Sequence, residues 1–423
     1  MSWLPGRTSA TTRDSRQGRL EVFRRATPRG SATIHLRRAA DGRGELFINA
    51  NQVYRLNPTA AQMANLVLSE IPSAEAVRRL ARVFRADHRR LARDLAAFRA
   101  DLEGLLDPES VCPVHDLNLE VIAPFSEIPE SPYRMDLALT YRCNDNCAHC
   151  YNARPRTYPE LPTEDWRTIL DRLWAVGVPH ICFTGGEATL RNDLPELVAH
   201  SHGLGHIVGL LSNGRRLSDA AFVRTLTAAG LDHVQITLES SREDVHDRMV
   251  GARGAWRQTV AGIRNALEGG LFVMTNTTLL ADNVGHISET IDFLAEIGVP
   301  TIGCNALIHA GHGAEVGSGL PEGSLAPVLR DVQSRTDNTA TSTPSRPSWA
   351  SKAARRRVTT CASNQMAPSC HASPTINPSG TSCGIRGTRS GTTTFHCGSG
   401  SGSTCPTTVA PARSSPNAGE AAP

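Results

Sequence analysis

The sequence has no long apolar run and almost no net charge, and these two absences exclude whole classes of protein. No stretch of the 423 residues approaches the eighteen or so consecutive apolar residues that a membrane-spanning helix needs. The N-terminal residues MSWLPGRTSATTRDSRQGR also lack the apolar segment of a signal peptide. The formal net charge of +3 is too small to draw the chain to nucleic acid or to an anionic membrane. We therefore predict a cytoplasmic protein whose partner is a small molecule, a peptide or a protein.

The C-terminal residues 338–423 lack leucine and contain a single acidic residue, Glu420. Serine, threonine, proline, glycine and arginine dominate instead, so this region cannot form an apolar core, and we predict a disordered tail. Such an abrupt loss of patterning inside a well-patterned chain is what a reading-frame shift in a GC-rich gene would produce. High-coverage resequencing of the gene tests that hypothesis, which an intact frame would contradict.

The eleven cysteines do not resemble a disulfide framework, because their number is odd and three of them lie within eight residues, at Cys143, Cys147 and Cys150. This spacing favours metal binding in a reducing compartment. The five tail cysteines are irregularly spaced and contain no CxxC pair. Cys182 and Cys304 lie alone in apolar runs, where a cysteine usually acts as a small hydrophobic residue.

The N-terminal quarter predicts a small domain. Residues 1–19 are expected to be disordered and residues 20–107 to form a winged-helix-like unit. Residues 45–56, ELFINANQVYRL, read as two short strands around a turn, and helical periodicity begins at Thr59. Many of the exposed helical positions are arginine, which is typical of a solvated helix face, although such a face can also attract an acidic partner.

A proline-rich linker is expected over residues 108–132, and a repeated strand and helix pattern over residues 133–337. The predicted strands are Met135–Thr140, His180–Thr184, Ile207–Leu211, His233–Leu238, Phe272–Leu279 and Thr301–Ile308, and the predicted helices are Thr163–Ala175, Asp193–Ala199, Asp219–Ala228, Arg257–Leu267 and Ile287–Ile297. This alternation predicts a parallel sheet with crossover helices. The fold class is thus α/β: a partial (β/α)6 TIM-type barrel with a small N-terminal winged-helix-like domain and a disordered C-terminal tail.

The cysteine triplet follows the first predicted barrel strand, in the sequence LALTYRCNDNCAHCYN. Three thiolates on one short loop can bind three irons of a four-iron four-sulfur cluster and leave the fourth iron without a protein ligand. A structural zinc site is the alternative, but it requires a fourth ligand. His149 is the nearest candidate, and its position beside Cys150 makes chelation of the same ion awkward.

Further polar groups stand at the ends of later strands. Gly185, Gly186 and Glu187 end the second strand, where glycines allow close backbone approach and a carboxylate can accept hydrogen bonds from an ammonium group. Ser212 and Asn213 end the third strand, and Glu239 follows the fourth, where a carboxylate could meet ribose hydroxyls. Because active sites of barrels gather at the carboxyl ends of strands, we expect these residues to lie near the cysteines.

The CxxxCxxC triplet after a first barrel strand, followed by Gly-Gly-Glu, resembles the signature of the radical S-adenosylmethionine (SAM) superfamily. The resemblance implies a four-iron four-sulfur cluster and SAM as cofactors. It also implies that the segment from Gly185 to Glu187 holds the methionyl amino group of SAM and that His149 lies near the adenine. The implied reaction is reductive cleavage of SAM to a 5'-deoxyadenosyl radical, which abstracts hydrogen from a substrate.

A second resemblance lies in the segment INANQVYRLNPTAAQMANLVL, which is similar to the peptide-chaperone domain of the pyrroloquinoline quinone pathway. Together the two regions resemble the peptide- and protein-modifying branch of the superfamily. The resemblance implies a peptide or protein substrate recognised through a leader segment, and an electron donor such as flavodoxin or ferredoxin. It also implies a C-terminal domain with auxiliary clusters, which the leucine-free tail does not supply.

Two other readings remain open from the sequence. A structural zinc or iron protein would account for the cysteines but would leave the Gly-Gly-Glu strand end without a role. A peptide-binding adaptor with an impaired catalytic half, or the product of a pseudogene, would account for the tail. Such an adaptor is expected to bind peptide without cleaving SAM, and its function would survive replacement of all three cysteines by alanine.

Overall fold

The computed structural model describes residues 19–27, 30–49, 52–106, 129–152, 155–321, 323–324, 327–328, 357–361, 383–387 and 393–397. The predicted disordered N-terminus, most of the predicted linker and most of the tail lie outside these residues, so those predictions stay predictions. Within the described part of the chain, no helix is long and apolar enough to cross a membrane.

The N-terminal domain is a four-stranded antiparallel sheet in the order β1-β2-β3-β4, covered on one face by three helices. The strands are β1 (Arg19–Thr27), β2 (Gly30–Arg38), β3 (Gly44–Ile48) and β4 (Gln52–Leu56), and the helices are α1 (Pro58–Leu68), α2 (Ser73–Val83) and α3 (His88–Leu106). Asn57 caps α1 by accepting a hydrogen bond from the Ala60 amide. The strand pair predicted over residues 45–56 is present, whereas β1 and β2 were not predicted.

Strand β2 is buried on both faces, which explains why it was not predicted from its sequence. Ile34 and Leu36 point into the core shared with the helices. The alternate residues His35 and Arg37 point to the opposite face, because successive side chains of a strand alternate. Both of these polar residues are fully buried, so β2 lacks the polar and apolar alternation of an ordinary surface strand.

The second part of the fold is a seven-stranded parallel sheet in the order β11-β10-β9-β8-β7-β6-β5. Its strands are β5 (Arg134–Thr140), β6 (His180–Gly185), β7 (Ile207–Ser212), β8 (His233–Thr237), β9 (Phe272–Thr278), β10 (Thr301–Asn305) and β11 (Arg357–Cys361). The crossover helices are α4 (Thr163–Ala175), α5 (Leu194–Leu204), α6 (Ala220–Ala228), α7 (Glu243–Val250), α8 (Ala255–Glu268) and α9 (Ile287–Glu296). The predicted α/β partial barrel is therefore confirmed, with all six predicted strands in place.

Two elements of the barrel differ from expectation. Helix α7 was missed, although Glu243 and Asp244 in its first turn and the left-handed Gly251 at its end are helix boundary signals. Strand β11 lies in the region predicted to be disordered and adds a seventh strand by parallel pairing with β10. A separate hairpin pairs β12 (Cys383–Gly387) with β13 (Thr393–Cys397).

The N-terminal domain packs against the amino ends of the barrel strands through buried polar side chains of β2. The His35 ring lies 2.7 Å from the carbonyl oxygen of Gly205, the residue that follows and caps α5. Arg37 donates to the carbonyl of Gly177 at 3.0 Å and to Glu45 at 2.7 Å, and its guanidinium lies over the ring of Tyr133. Charged hydrogen bonds of this kind have strict geometry, so they fix the orientation of the N-terminal domain relative to the barrel.

Histidines are concentrated at this contact. His180 and His233 begin β6 and β8, and their Nε2 atoms lie 2.8 Å apart, so one ring donates to the other. Burial lowers the pKa of His35 and His233 to about 4, and that of His206 to about 3. Burial also places the pKa of His180 well below its usual value. These rings are therefore neutral in the folded protein at neutral pH.

The buried histidines predict a loss of stability in weak acid. The unfolded chain binds protons below a pKa of about 6.5, whereas the folded chain does not until about pH 4. The contribution of the neutral histidines to the free energy of unfolding is thus complete above pH 6.5. It is lost progressively as the pH falls from about 6.5 to about 4. For His35 the loss is about 2 kcal/mol at pH 5. Unfolding monitored by circular dichroism at pH 7.5 and pH 5 measures it.

His35→Gln is expected to reduce this pH dependence, because the amide can donate to Gly205 without titrating. His88→Gln, at an exposed position in α3, is the matched control and should leave the dependence unchanged. Equal pH dependence in the His35 variant and the parent protein would contradict the assignment.

Candidate metal and cofactor site

The three motif cysteines lie on the loop that follows β5, at the carboxyl end of the barrel. Cys143, Cys147 and Cys150 are all free and partly exposed. Burial raises the pKa of the Cys143 thiol and raises that of Cys147 much further. In the metal-free protein these two thiols are protonated at neutral pH, so binding of a metal centre releases protons. The structure thus places all three predicted ligands on one accessible loop.

The Gly-Gly-Glu segment binds the backbone of this cysteine loop directly. The Gly186 amide donates to the Thr140 carbonyl, and the Glu187 amide donates to the Arg142 carbonyl, each at 2.7 Å. A β-carbon placed on Gly185 would lie 2.2 Å from the Thr140 oxygen, and one on Gly186 would lie 2.3 Å from the Arg142 oxygen. The glycines are therefore required where two backbones meet, which is a more local reason than approach to a ligand.

The side chain of Glu187 connects the second strand end to the third. It is 1% exposed and accepts hydrogen bonds from the Ser212 hydroxyl at 2.9 Å and the Asn213 amide at 2.8 Å. Thr189 donates to it through both its amide and its hydroxyl. Burial raises the pKa of Glu187, while these hydrogen bonds act in the opposite direction. The predicted residues at the ends of β6 and β7 thus form one network.

The side chain of Asn213 extends this network to the cysteine loop. Its amide group donates to the Asn144 side chain at 2.6 Å. Arg215, which sequence reasoning missed, donates to the Asn144 carbonyl and forms an ion pair with Asp145 at 2.7 Å. The loop between Cys143 and Cys147 is therefore fixed by residues that follow β7.

Glu239, after β8, contacts the loop through His149. The His149 Nε2 atom lies 2.8 Å from one oxygen of Glu239, and the other oxygen accepts from the Thr278 amide at 2.7 Å. Glu239 is fully buried. Burial opposes protonation of His149, but the hydrogen bond and charge of Glu239 outweigh it and raise the pKa. The contact expected between Glu239 and a ribose stays a prediction. Both carboxylate oxygens of Glu239 already have hydrogen-bond partners within the chain.

Several further contacts to the loop come from elements that the sequence analysis did not single out. The Asn146 and Ala148 amides donate to the carbonyls of Val250 and Met249, at the end of the unpredicted helix α7. His312 lies 3.3 Å from the Cys147 carbonyl, and Arg156 donates to the Cys143 carbonyl at 2.6 Å. One sequence signal could have pointed to these contacts, namely the boundary residues of α7.

The donor set fits a cluster. Among the described residues no three His, Cys, Asp or Glu side chains converge as ligands of one metal ion. A four-iron cluster does not require such convergence, because each thiolate binds a different iron. In addition, the Nδ1 atom of His149 is buried and has no hydrogen-bond partner among the residues that the structure describes. This unpaired nitrogen, on a residue of the cysteine loop, is open to a hydrogen bond from a bound group.

Comparison with known proteins agrees with this site. Residues 137–294 match the model of the Radical SAM superfamily, so the chain contains a radical SAM domain, which is an enzyme domain. A four-iron four-sulfur cluster and SAM are the cofactors of this superfamily. The four strand ends that carry predicted site residues all lie within the matched residues.

Two curated relatives come from Methanosarcina barkeri. Fe-coproporphyrin III synthase is 36% identical over 42% of this chain and 45% of its own length. An AdoMet-dependent heme synthase is 30% identical over 42% of this chain and 51% of its own length. The chain thus spans about half the length of the curated relatives that it matches.

A solved structure of Streptococcus suis SuiB bound to the precursor peptide SuiA has a similar fold. The TM-score is 0.51 at 16% identity, over 70% of this chain and 67% of that chain. A second SuiB structure, bound to S-adenosylmethionine, matches with the same TM-score at 15% identity. The barrel strands β5 to β10 span less than half of this chain, so the similarity of fold extends beyond the barrel.

The close backbone contact predicts that Gly186→Ala damages the site. The added methyl group would meet the Arg142 carbonyl, so the cysteine loop would have to shift at a cost of about 1–3 kcal/mol. We expect a lower melting temperature and fewer irons per chain after anaerobic reconstitution. Gly203→Ala, in α5, is the matched control because nothing lies within 4 Å of its added methyl group. Equal iron content in the two variants would contradict this role of Gly186.

Proposed function

We propose that this protein is a radical SAM enzyme that modifies a peptide or protein. Cys143, Cys147 and Cys150 would hold a four-iron four-sulfur cluster. When bound, the cluster and SAM supply a 5'-deoxyadenosyl radical, which takes a hydrogen atom from the substrate. The observation that carries this proposal is the network at the strand ends, in which the Gly-Gly-Glu segment and the residues after β7 and β8 all bind the cysteine loop.

The residues of the chain have distinct parts in this proposal. Gly185, Gly186 and Glu187 would border the methionyl group of SAM, with Ser212 and Asn213 beside them. His149, held by Glu239, would lie next to the adenine with its unpaired nitrogen available to a ligand. Because hydrogen abstraction needs no acid or base, these groups would contribute by orientation and by exclusion of water.

A peptide substrate is supported by the N-terminal domain. Strand β1 packs near the barrel, where a β-carbon on Gly205 would lie 3.0 Å from Val22. Strand β4 forms the other edge of the sheet and carries the exposed Val53, which is 41% accessible. An extended peptide can add to such an edge through backbone hydrogen bonds. The fold shared with SuiB, which was solved with its precursor peptide, agrees with this mode.

An iron tetrapyrrole is the second candidate substrate. It is favoured by the names of the two Methanosarcina barkeri relatives, which share 30–36% identity with this chain. Those matches cover 42% of this chain, so more than half of the chain lies outside them. The peptide accounts for both parts and is therefore preferred. A flavodoxin or ferredoxin in the cytoplasm would supply the electron.

The cluster assignment predicts about four irons per chain after anaerobic reconstitution with iron and sulfide. We expect the dithionite-reduced protein to show an EPR signal that changes on addition of SAM, and to release 5'-deoxyadenosine. Replacing Cys143, Cys147 and Cys150 by alanine should abolish all three observations. Cys182→Ala, at a buried site in β6, is the control that should retain them. Parent protein that folds but binds no iron would overturn the proposal and favour the adaptor.

The substrate assignment predicts that Val53→Asp weakens peptide binding at least tenfold, because a charge on an edge strand opposes strand addition. The probe is a display library of random 20-residue peptides, selected on the parent protein. Val83→Asp, at a position 65% exposed at the end of α2, is the control and should bind selected peptides normally. Failure to enrich any peptide, together with saturable changes in the absorbance of added Fe-coproporphyrin III, would favour the tetrapyrrole.

A further inference from the structure

Arg156 lies after the cysteine loop and folds back onto its first cysteine. One guanidinium nitrogen donates to the Cys143 carbonyl at 2.6 Å, and another donates to the Asn146 side-chain oxygen at 3.3 Å. Both acceptors are uncharged oxygens within the CxxxCxxC loop. The contact therefore places a permanent positive charge at hydrogen-bond distance from a residue that would bind the cluster.

The other two arginines that contact this loop, among the residues that the structure describes, are neutralised by carboxylates. Arg215 is paired with Asp145 at 2.7 Å, and Arg142 is paired with Glu160 at 2.7 Å. Arg156, in contrast, forms no ion pair with any carboxylate in the part of the chain that the structure describes. Of the three arginines, only Arg156 thus adds a full net charge to the loop.

A charge at this position acts differently on the two redox states of a cluster. Reduction adds one electron from an external donor and no proton, so the reduced cluster is more negative by one unit. A nearby cation attracts the reduced form more strongly than the oxidised form, because the energy of two charges grows with their product. Hydrogen bonds and net charge around an iron-sulfur cluster are known determinants of its reduction potential.

We propose that Arg156 is a positioning residue that raises the reduction potential of the cluster held by Cys143, Cys147 and Cys150. This inference rests on the proposed function. Its physical basis is the unpaired charge rather than the hydrogen bond alone, since a neutral side chain could donate to the same carbonyl. By favouring the reduced cluster, Arg156 makes it easier for a donor of modest reducing strength to supply the electron.

The expected size of the effect follows from the position of Arg156. Its side chain is exposed, so solvent screens the charge, and the effective dielectric constant lies between about 20 and that of water. Loss of the charge is then expected to lower the ratio of reduced to oxidised cluster about threefold to tenfold at a fixed ambient potential. For a one-electron couple, tenfold corresponds to about 59 mV.

The test is an EPR-monitored redox titration of the reconstituted full chain without SAM, with dithionite as reductant. Arg156→Gln removes the charge but retains a donor, and Arg156→Lys retains the charge. Arg224→Gln is the matched control, because Arg224 is exposed on α6 and no hydrogen bond or ion pair joins it to the loop within the described residues. We expect a more negative midpoint potential in Arg156→Gln alone, with about four irons in every protein.

Each other outcome decides the question. An unchanged potential in Arg156→Gln, or an equal shift in Arg224→Gln, overturns the proposal. Loss of iron from Arg156→Gln but not from Arg156→Lys would show that the charge retains the cluster rather than sets its potential, and this outcome also overturns the proposal. Loss of iron from both indicates a purely structural role and overturns it. Failure of the proposed function itself would be seen separately, as parent protein that binds no iron.

Discussion

Backbone hydrogen bonds between the Gly-Gly-Glu segment and the start of the cysteine loop hold the candidate site together. The Gly-Gly-Glu segment continues the parallel alignment of β5 and β6 past the end of the sheet, so the amides of Gly186 and Glu187 reach the carbonyls of Thr140 and Arg142. At Gly185 and Gly186 an added β-carbon would lie 2.2 Å and 2.3 Å from the Thr140 and Arg142 carbonyl oxygens, so these positions require glycine. The first cysteine therefore follows a stretch of chain whose path is fixed by a neighbouring strand, and its position does not depend on a bound ligand.

Two buried carboxylates extend this order to the rest of the loop. Glu187 joins the ends of β6 and β7, whereas Glu239 joins the ends of β8 and β9 to His149. A buried carboxylate is costly unless each oxygen has donors, and both residues meet this requirement within the chain. They are thus stable parts of the framework. Their role at the site is to hold the loop that carries the thiols, and contact with a cofactor would be additional.

The barrel could be predicted from the sequence because its strands are short apolar runs that alternate with amphipathic helices, and two of them, β6 and β7, are almost wholly buried. The strand ends were also predictable, since glycine, asparagine and carboxylate residues interrupt the apolar runs there. The contacts between those ends could not be predicted. Residues such as Arg215 and Arg156 reach the loop from positions far along the chain or within irregular structure, where spacing carries no periodic signal. Strand β2 was missed because the N-terminal domain buries His35 and Arg37 against the barrel. Polar residues at alternate positions of a strand usually indicate a solvent-exposed face, and here they do not.

The docking of the N-terminal domain places a geometric condition on any peptide that it holds. His35 and Arg37 bind the carbonyls of Gly205 and Gly177, which precede β7 and β6, so the domain lies at the amino ends of the strands. The cysteines lie at the carboxyl ends. Strand β6 has six residues and therefore spans about 20 Å. A bound peptide would need at least about six extended residues between its recognition segment and its modified residue, because an extended chain covers about 3.3–3.6 Å per residue. A path around the outside of the barrel is longer than the strand, so this value is a lower limit.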